Sequence, residues 1–220
     1  MQPDLSLREG NKPSAASFMR IKQLLFMLAL VCPSVVFAQT NALSGHFGIK
    51  AGPSITRLAL SGVTTSVPKQ KIDFSLGAMY QLRYKNFTVQ PELLYSKEGG
   101  TLKVQRVGRT EIVRNNFSYI ALPVLFGWIP TEGIALQAGP QFSYAVNAGS
   151  TYGPGTKNDM GIVIGAHYDF LDMLDKFSLQ VRYIHGLTNV APATATGIDL
   201  NYRNRVLQVA FVYNFYKKKK

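Results

Sequence analysis

The sequence has a single cysteine, Cys32, and it lies in an N-terminal stretch that we expect to be removed from the exported protein. The mature chain would then have no disulfide, although small exported domains often depend on disulfides for stability. It also lacks any apolar run of about 18 residues, which excludes a membrane-spanning helix. A closed ladder of backbone hydrogen bonds is the expected source of stability instead.

Acidic residues are also scarce. The sequence contains 12 aspartates and glutamates and 24 lysines and arginines, and the formal net charge is +12. Such an excess of positive charge occurs in nucleic-acid-binding proteins, but the chain contains no nucleic-acid-binding motif. For an exported protein, the phosphates of anionic lipids are the expected partner, and nucleic acid is not.

The N-terminus contains the three parts of a secretion signal. Residues 19–22 form a basic start, residues 24–31 form an apolar core, and small residues precede a cleavage site after Ala38. The apolar core is too short to cross a bilayer. We therefore predict a signal peptide over residues 19–38 and a mature domain over residues 39–220.

Residues 1–18 fit no part of such a signal. We expect translation to start at Met19, and the alternative is an unusually long polar leader. A lipoprotein signal would place Cys32 at the cleavage point, but Val31 is a poor residue just before such a cysteine. An ordinary signal peptide is the preferred interpretation.

The mature chain alternates repeatedly between large apolar residues and small or polar ones. The segment from Leu207 to Phe215 has a large apolar residue at every second position, which predicts a β-strand with two different faces. Seven similar segments precede it. The eight predicted strands cover approximately residues 45–54, 71–84, 87–96, 112–129, 134–148, 159–170, 176–188 and 204–215.

Two local features complicate this pattern. Residues 120–126 are apolar on both faces, so the alternation does not fix the register of the fourth strand. Prolines cannot donate to a β-ladder, and those within strands are expected to mark bulges or bends. These prolines are Pro91, Pro123 and Pro140.

The connections between strands alternate in length. Three are short turns, one of them Lys85-Asn86, and four are longer and rich in glycine, hydroxyl and basic residues. This alternation is typical of outer-membrane barrels whose termini are both periplasmic. It predicts an all-β fold, an eight-stranded antiparallel up-and-down transmembrane β-barrel with short periplasmic turns and longer extracellular loops. The long connections are residues 55–70, 97–111, 149–158 and 189–200.

Two features indicate that the apolar face contacts lipid, whereas a soluble lipocalin-like barrel would turn it inward. Aromatic residues cluster near strand ends, where lipid–water interfaces favour them. The opposite face carries charged and amide side chains, which suit a packed polar lumen. Because side chains just fill the bore of an eight-stranded barrel, opposite charges are expected to pair there. The predicted lumenal ion-pair network comprises Glu92, Lys50, Arg83, Arg182 and Asp73.

Five sequence stretches occur in an order that resembles a known family. They are 90–96 (QPELLYS), 119–125 (YIALPVL), 137–142 (QAGPQF), 182–189 (RYIHGLTN) and 204–208 (NRVLQ). Together they resemble the porin-like outer membrane protein beta-barrel domain family of Gram-negative bacteria, which includes PorT-like proteins. The resemblance implies an eight-stranded barrel in the outer membrane and no particular substrate. Ala121 departs from the glutamate that is common in the family at this position.

The sequence offers no catalytic set. The histidines His46, His167 and His185 fall on different predicted strands and at different heights. They form no recognisable Ser–His–acid arrangement, and their scatter argues against a metal site. We therefore expect no enzymatic activity, cofactor or metal.

Two surfaces are candidates for interactions. Basic residues of the connection at 97–111 are expected to bind phosphates of lipopolysaccharide, with a merely solvated loop as the alternative. These residues are Arg106, Arg109, Arg114, Lys103 and Lys97. The last strand is expected to act as an assembly signal for the barrel-assembly machinery through Phe211, Tyr213 and Phe215.

The sequence therefore predicts an integral outer-membrane barrel with a side-chain-filled lumen and a structural or interaction role. A narrow porin-like channel for small solutes or ions remains an alternative. A lipid-modifying outer-membrane enzyme is a weaker alternative, because it requires a catalytic dyad that the chain does not display.

Overall fold

The computed structural model describes residues 43–63, 66–106, 109–170, 176–192 and 198–215. The predicted signal peptide and the residues before it lie outside this part of the chain. Among the described residues, no helix is both long and apolar enough to cross a membrane. They form nine β-strands: β1 (Leu43–Val63), β2 (Ser66–Lys69), β3 (Lys71–Tyr84), β4 (Phe87–Arg106), β5 (Arg109–Thr131), β6 (Ile134–Ala145), β7 (Asn158–Asp169), β8 (Phe177–Gly186) and β9 (Ile198–Phe215).

The strands form one closed antiparallel sheet. Its order is β2-β4-β3-β1-β9-β8-β7-β6-β5, and pairing of β4 with β5 closes the ring. Both β2 and β3 pair with β4, β3 along residues 87–96 and β2 along residues 101–104. Since β2 continues β3 along the same neighbour, the ring has eight strands around its circumference, which confirms the predicted barrel. Closure leaves no sheet edge in the part of the ring where β1 pairs with β3, which ends at Thr56 and Lys71.

The turns at one end are as short as predicted, but the opposite end differs from the prediction. Lys85 adopts a positive φ of 52° in the turn between β3 and β4, and Gly133 has a φ of 84° between β5 and β6. At the other end, β1 continues to Val63, and β4 and β5 extend to a hairpin at Arg106 and Arg109. Two connections predicted as loops, 55–70 and 97–111, are therefore largely strand, because their alternating apolar residues have an inner face to pack against.

The structure fixes the register that the sequence left open. In β5, odd-numbered residues such as Ala121 and Leu125 face inward and are buried, whereas Ile120 and Leu122 face outward. The in-strand prolines do not shift the register. The pairing of β4 with β5 keeps one register on both sides of Pro91. The predicted bulges are therefore wrong at these positions, since an outward-facing or locally unpaired proline leaves the remaining ladder intact.

The polarity of the two barrel faces is inverted relative to that of a soluble protein. Charged and amide side chains are buried inside, whereas large apolar side chains cover the outside: Ile72 is 78% exposed and Phe211 is 60% exposed. A continuous apolar exterior of this kind is far larger than the apolar patches of soluble monomers. The exterior is therefore suited to lipid, as in transmembrane barrels.

Candidate functional site

The centre of the lumen is an ion-pair network around one carboxylate. Glu92 Oε2 lies 2.5 Å from Lys50 Nζ and 2.6 Å from Arg182 Nη1. The three side chains come from β4, β1 and β8, and alternation places each on the inward face. All three residues are at least 95% buried. A buried charge without a partner is costly, so mutual pairing accounts for their burial.

Amide side chains complete a closed circuit of hydrogen bonds, which we call the lumen ring. Gln90 Nε2 donates to Glu92 Oε1 over 2.7 Å, and Gln137 Nε2 donates to Gln90 Oε1 over 2.8 Å. Gln180 Nε2 then donates to Gln137 Oε1, and Lys50 Nζ donates to both Gln180 Oε1 and Glu92. The lumen ring joins β1, β4, β6 and β8. It therefore bridges the bore from several sides and occupies it with bonded side chains.

Arg182 extends the network toward the longer strands. Its Nε donates to Gln208 Oε1 over 2.6 Å, and Gln208 Nε2 donates to Ser96 Oγ over 3.2 Å. Sequence reasoning placed Gln90, Gln137 and Gln180 on the inward face without assigning them a role. The alternation that gives a residue its face does not give its height in the bore.

Two members of the predicted network lie elsewhere. Arg83 is exposed near the short turns, and its Nε donates to the carbonyl oxygen of Lys85 over 3.0 Å. Asp73 lies further toward the opposite end, where it pairs with Lys71 Nζ at 2.8 Å and accepts from Thr56 Oγ1. The structure therefore brings Lys50, Glu92 and Arg182 together and leaves Arg83 and Asp73 outside the lumen ring.

Above the lumen ring, the extended strands enclose a second core, which we call the apolar cap. Phe117 and Tyr119 make an edge-to-face ring contact at 6.3 Å, and both are fully buried. The connection before β9 contributes Val190, which is also fully buried. The sequence did not predict this core, because Leu58, Leu102 and Val190 fall in predicted loops and the register of the fourth strand was left open. The apolar cap comprises Leu58, Leu102, Phe117, Tyr119, Ala145, Val190 and Tyr202.

Only some of the predicted basic residues of the β4–β5 hairpin lie together on its outward face. Lys103 is opposite Ile112 and Val67, while Thr101 lies between Lys69 and Arg114. Since Leu102 faces inward into the apolar cap, its neighbours at 101 and 103 face outward, as do the residues opposite them. We call Lys69, Lys103 and Arg114 the rim cations.

The other three predicted residues of the hairpin do not join the rim cations. Lys97 lies lower on the wall, with its Nζ 5.0 Å from the ring centroid of Phe74. Arg109 is exposed at the start of β5, opposite the backbone of Arg106. The side chain of Arg106 lies outside the described part of the structure.

One histidine lies beside a carboxylate and near a serine, which its sequence position did not indicate, but the described histidines form no nucleophilic set. His167 Nε2 lies 3.1 Å from Asp169 Oδ1 at the short-turn end of the barrel. Ser178 is also at this end, where its hydroxyl accepts a hydrogen bond from Asn214 Nδ2 over 2.7 Å and contacts Asp169. The carboxylate therefore lies between the imidazole and the hydroxyl, whereas activation of a serine requires the imidazole at the hydroxyl.

The aromatic residues of the last strand lie on the lipid-facing side. Phe211 and Phe215 are exposed, and the Tyr213 ring packs edge-to-face on Phe215 at 4.9 Å and on Phe177 at 5.3 Å. They form part of an aromatic belt near the short turns, where rings are favoured at a lipid–water interface.

One of the solved structures that align with this chain supports this fold. OprG, an outer membrane protein of Pseudomonas aeruginosa, aligns with a TM-score of 0.51 and 13% identity, covering 80% of this chain and 98% of OprG. The neisserial surface protein NspA aligns with a TM-score of 0.45 and 14% identity, and Ail of Yersinia pestis with 0.44 and 13%. Each of these two alignments covers 78% of this chain and 99% of the other. The likeness concerns the fold alone.

Comparison with curated protein sequences gave no match. The model of the outer membrane protein beta-barrel domain matches residues 37–191, which is more than half of the chain. The match agrees with the inverted polarity of the barrel and with its closed antiparallel ring. The chain belongs to the outer membrane protein beta-barrel domain family and is located in the outer membrane.

Proposed function

We propose that this barrel is non-enzymatic and non-conducting, and that it has a structural or interaction role at the lipopolysaccharide leaflet of a Gram-negative outer membrane. One observation carries the proposal: the lumen ring fills the bore and the apolar cap covers it. A molecule whose interior is occupied in this way offers its outer wall and rim for function. Export by the predicted signal peptide and insertion by the barrel-assembly machinery, which would read Phe211, Tyr213 and Phe215, belong to the same proposal.

The filled lumen is the main argument against a narrow channel. An ion that crossed the bore would have to separate Glu92 from Lys50 and Arg182, leaving buried charges without partners. It would then have to pass the apolar cap, where Phe117 and Tyr119 offer little solvation. Two barriers of different chemistry in series favour a closed barrel over a porin-like conduit.

The rim cations are the argument for lipopolysaccharide. The neighbouring ammonium group of Lys103 lowers the pKa of the fully exposed Lys69, because two positive charges lie close together. Arg114 lies across Thr101 from Lys69, so three basic side chains share a small outward-facing area. Phosphate groups held there would relieve this repulsion and accept charge-assisted hydrogen bonds. Such groups are abundant on lipopolysaccharide at this side of the membrane.

A double variant of the rim tests the proposal. We expect Lys103→Gln/Arg114→Gln to retain less lipopolysaccharide through purification in mild detergent, with apparent affinity lowered about tenfold, because two exposed charge contacts of about 0.7 kcal/mol each are lost. Quantitative assay of lipopolysaccharide per mole of protein provides the measurement. The loss should resemble the effect of added salt on the wild type, since salt screens exposed charges.

The matched control removes two charges at the opposite end. Arg83→Gln/Lys85→Gln lies by the short periplasmic turn, where the outer leaflet cannot reach. This control variant should retain as much lipopolysaccharide per mole of protein as the wild type. Equal retention by the rim variant and the control would contradict a role of the rim cations in lipopolysaccharide binding.

A further inference from the structure

A second group of arginines lies on the outer wall, on strands that sequence reasoning did not connect. Arg57 of β1 is directly opposite Arg205 of β9, and Arg203 lies two residues further along β9, opposite Ala59. His185 of β8 is opposite Arg205 on its other side. The inward neighbours Leu58 and Asn204 are buried in the bore, so these arginines face outward. Like charges placed directly opposite in a sheet destabilise it unless an anion accompanies them.

No carboxylate in the described part of the chain serves this purpose. Within the described residues, none of the three arginines forms an ion pair with a carboxylate. Arg205 Nη1 donates only to backbone carbonyls, those of Gly186 at 2.8 Å and Asn204 at 3.0 Å. The Nε of Arg203 is buried and has no hydrogen-bond partner. Three guanidinium groups therefore lie close together with no paired carboxylate among the described residues, which points to an anion that comes from outside the chain.

An apolar groove begins directly below the arginines. Ile55 and Leu207 are opposite each other one step down the same two strands, and Tyr183 of β8 is opposite Leu207. On the other side, β2 pairs with β4 and forms no ladder with β1, so Pro68 lines the groove from a separate wall. The groove has a volume of about 680 Å³. This size is within the range of small-molecule sites.

We propose that the groove binds one lipopolysaccharide molecule, with a lipid A phosphate on Arg57, Arg203 and Arg205 and an acyl chain along Ile55, Tyr183 and Leu207. The order of the residues along the barrel axis matches this ligand. On the extracellular half of the lipid-facing wall, the arginines lie nearer the extracellular end than the apolar side chains do. Bidentate guanidinium groups are well suited to phosphate oxygens. The inference rests on the proposed lipopolysaccharide function and assigns it a specific, stoichiometric site that is separate from the rim cations.

The test compares bound lipid in four proteins purified under the same mild detergent and analysed by native mass spectrometry. We expect Lys103→Gln/Arg114→Gln to lose the lipopolysaccharide held at the rim but to keep, like the wild type, one tightly bound molecule. Arg57→Gln/Arg205→Gln should lose that molecule, with an affinity at least about tenfold weaker. Ala59→Phe keeps every charge and narrows the groove. It should also displace the ligand, which separates shape from charge.

Each remaining outcome has a defined meaning. If Arg57→Gln/Arg205→Gln retains the bound lipopolysaccharide as the wild type does, the groove is not its site and the proposed function stands. If the wild type retains none, the proposed function and the groove both fail. In the last experiment, the protein is titrated with vesicles of phosphatidylethanolamine and phosphatidylglycerol. Equal occupancy of the groove by a glycerophospholipid would overturn the assignment to lipopolysaccharide.

Discussion

Replacing Glu92 with glutamine is expected to lower the free energy of unfolding by about 3–5 kcal/mol. The carboxylate is the only acidic group that pairs with Lys50 and Arg182 among the described residues. Its neutralisation leaves two cations buried side by side, each without a counter-charge, in a bore from which they cannot reach water. Urea unfolding in lipid vesicles measures the effect, and fluorescence of Trp128, the single tryptophan of the chain, reports it.

Two further variants separate loss of charge balance from loss of packing. Arg83→Gln removes an exposed charge that donates to a backbone carbonyl, and it should change stability by no more than about 0.5 kcal/mol. Lys50→Met/Glu92→Leu/Arg182→Met removes all three charges together and should recover most of the loss, because hydrophobic replacement of a buried ion network is often neutral. An E92Q protein as stable as R83Q would show that the lumenal charges are hydrated, and would contradict a filled bore.

Replacing Phe117 with alanine is expected to cost about 3–5 kcal/mol of unfolding free energy. Phe117 is fully buried in the apolar cap and contacts Tyr119 edge-to-face. Its removal would leave a cavity between extended strands that other core residues cannot easily refill. The same urea titration measures the change, and limited proteolysis of the β4–β5 hairpin should become faster in the variant.

Ile112 provides the matched control on the same strand. It lies opposite Lys103 on the outward face of the extension and is 59% exposed. Ile112→Ala should therefore cost no more than about 0.5 kcal/mol. Equal costs for Ile112→Ala and Phe117→Ala would mean that the extended hairpin does not pack inward, and that the apolar cap is not a core.

The sequence predicted the fold well because its strongest signal is strictly local. A period of two residues identifies a strand and divides its side chains between two faces, so the inward positions of Lys50, Glu92 and Arg182 could be derived. Which inward charges meet is a different question. It depends on the stagger of strands distant in sequence, and for this reason Arg83 and Asp73 could not be separated from the lumen ring.

The longest strands were underestimated for a related reason. Glycine, threonine and lysine in residues 97–111 are typical of loops, yet the same stretch places Leu102 inward at a position where other extended strands also present apolar residues. The packing partner of Leu102 comes from distant segments such as that of Tyr202. The facing pair of Arg57 and Arg205 was hidden in the same way, because it results from pairing the first long strand with the last.

The central claim is that the bore is filled, and conductance across a planar lipid bilayer tests it most directly. Correct folding of the inserted protein is established first by a heat-dependent shift in gel mobility, which a closed barrel shows when it resists detergent until boiled. We predict that the folded wild-type protein leaves the current at baseline over a range of voltages. Discrete, steady current steps from the folded wild-type protein would contradict the account and would establish a porin-like channel.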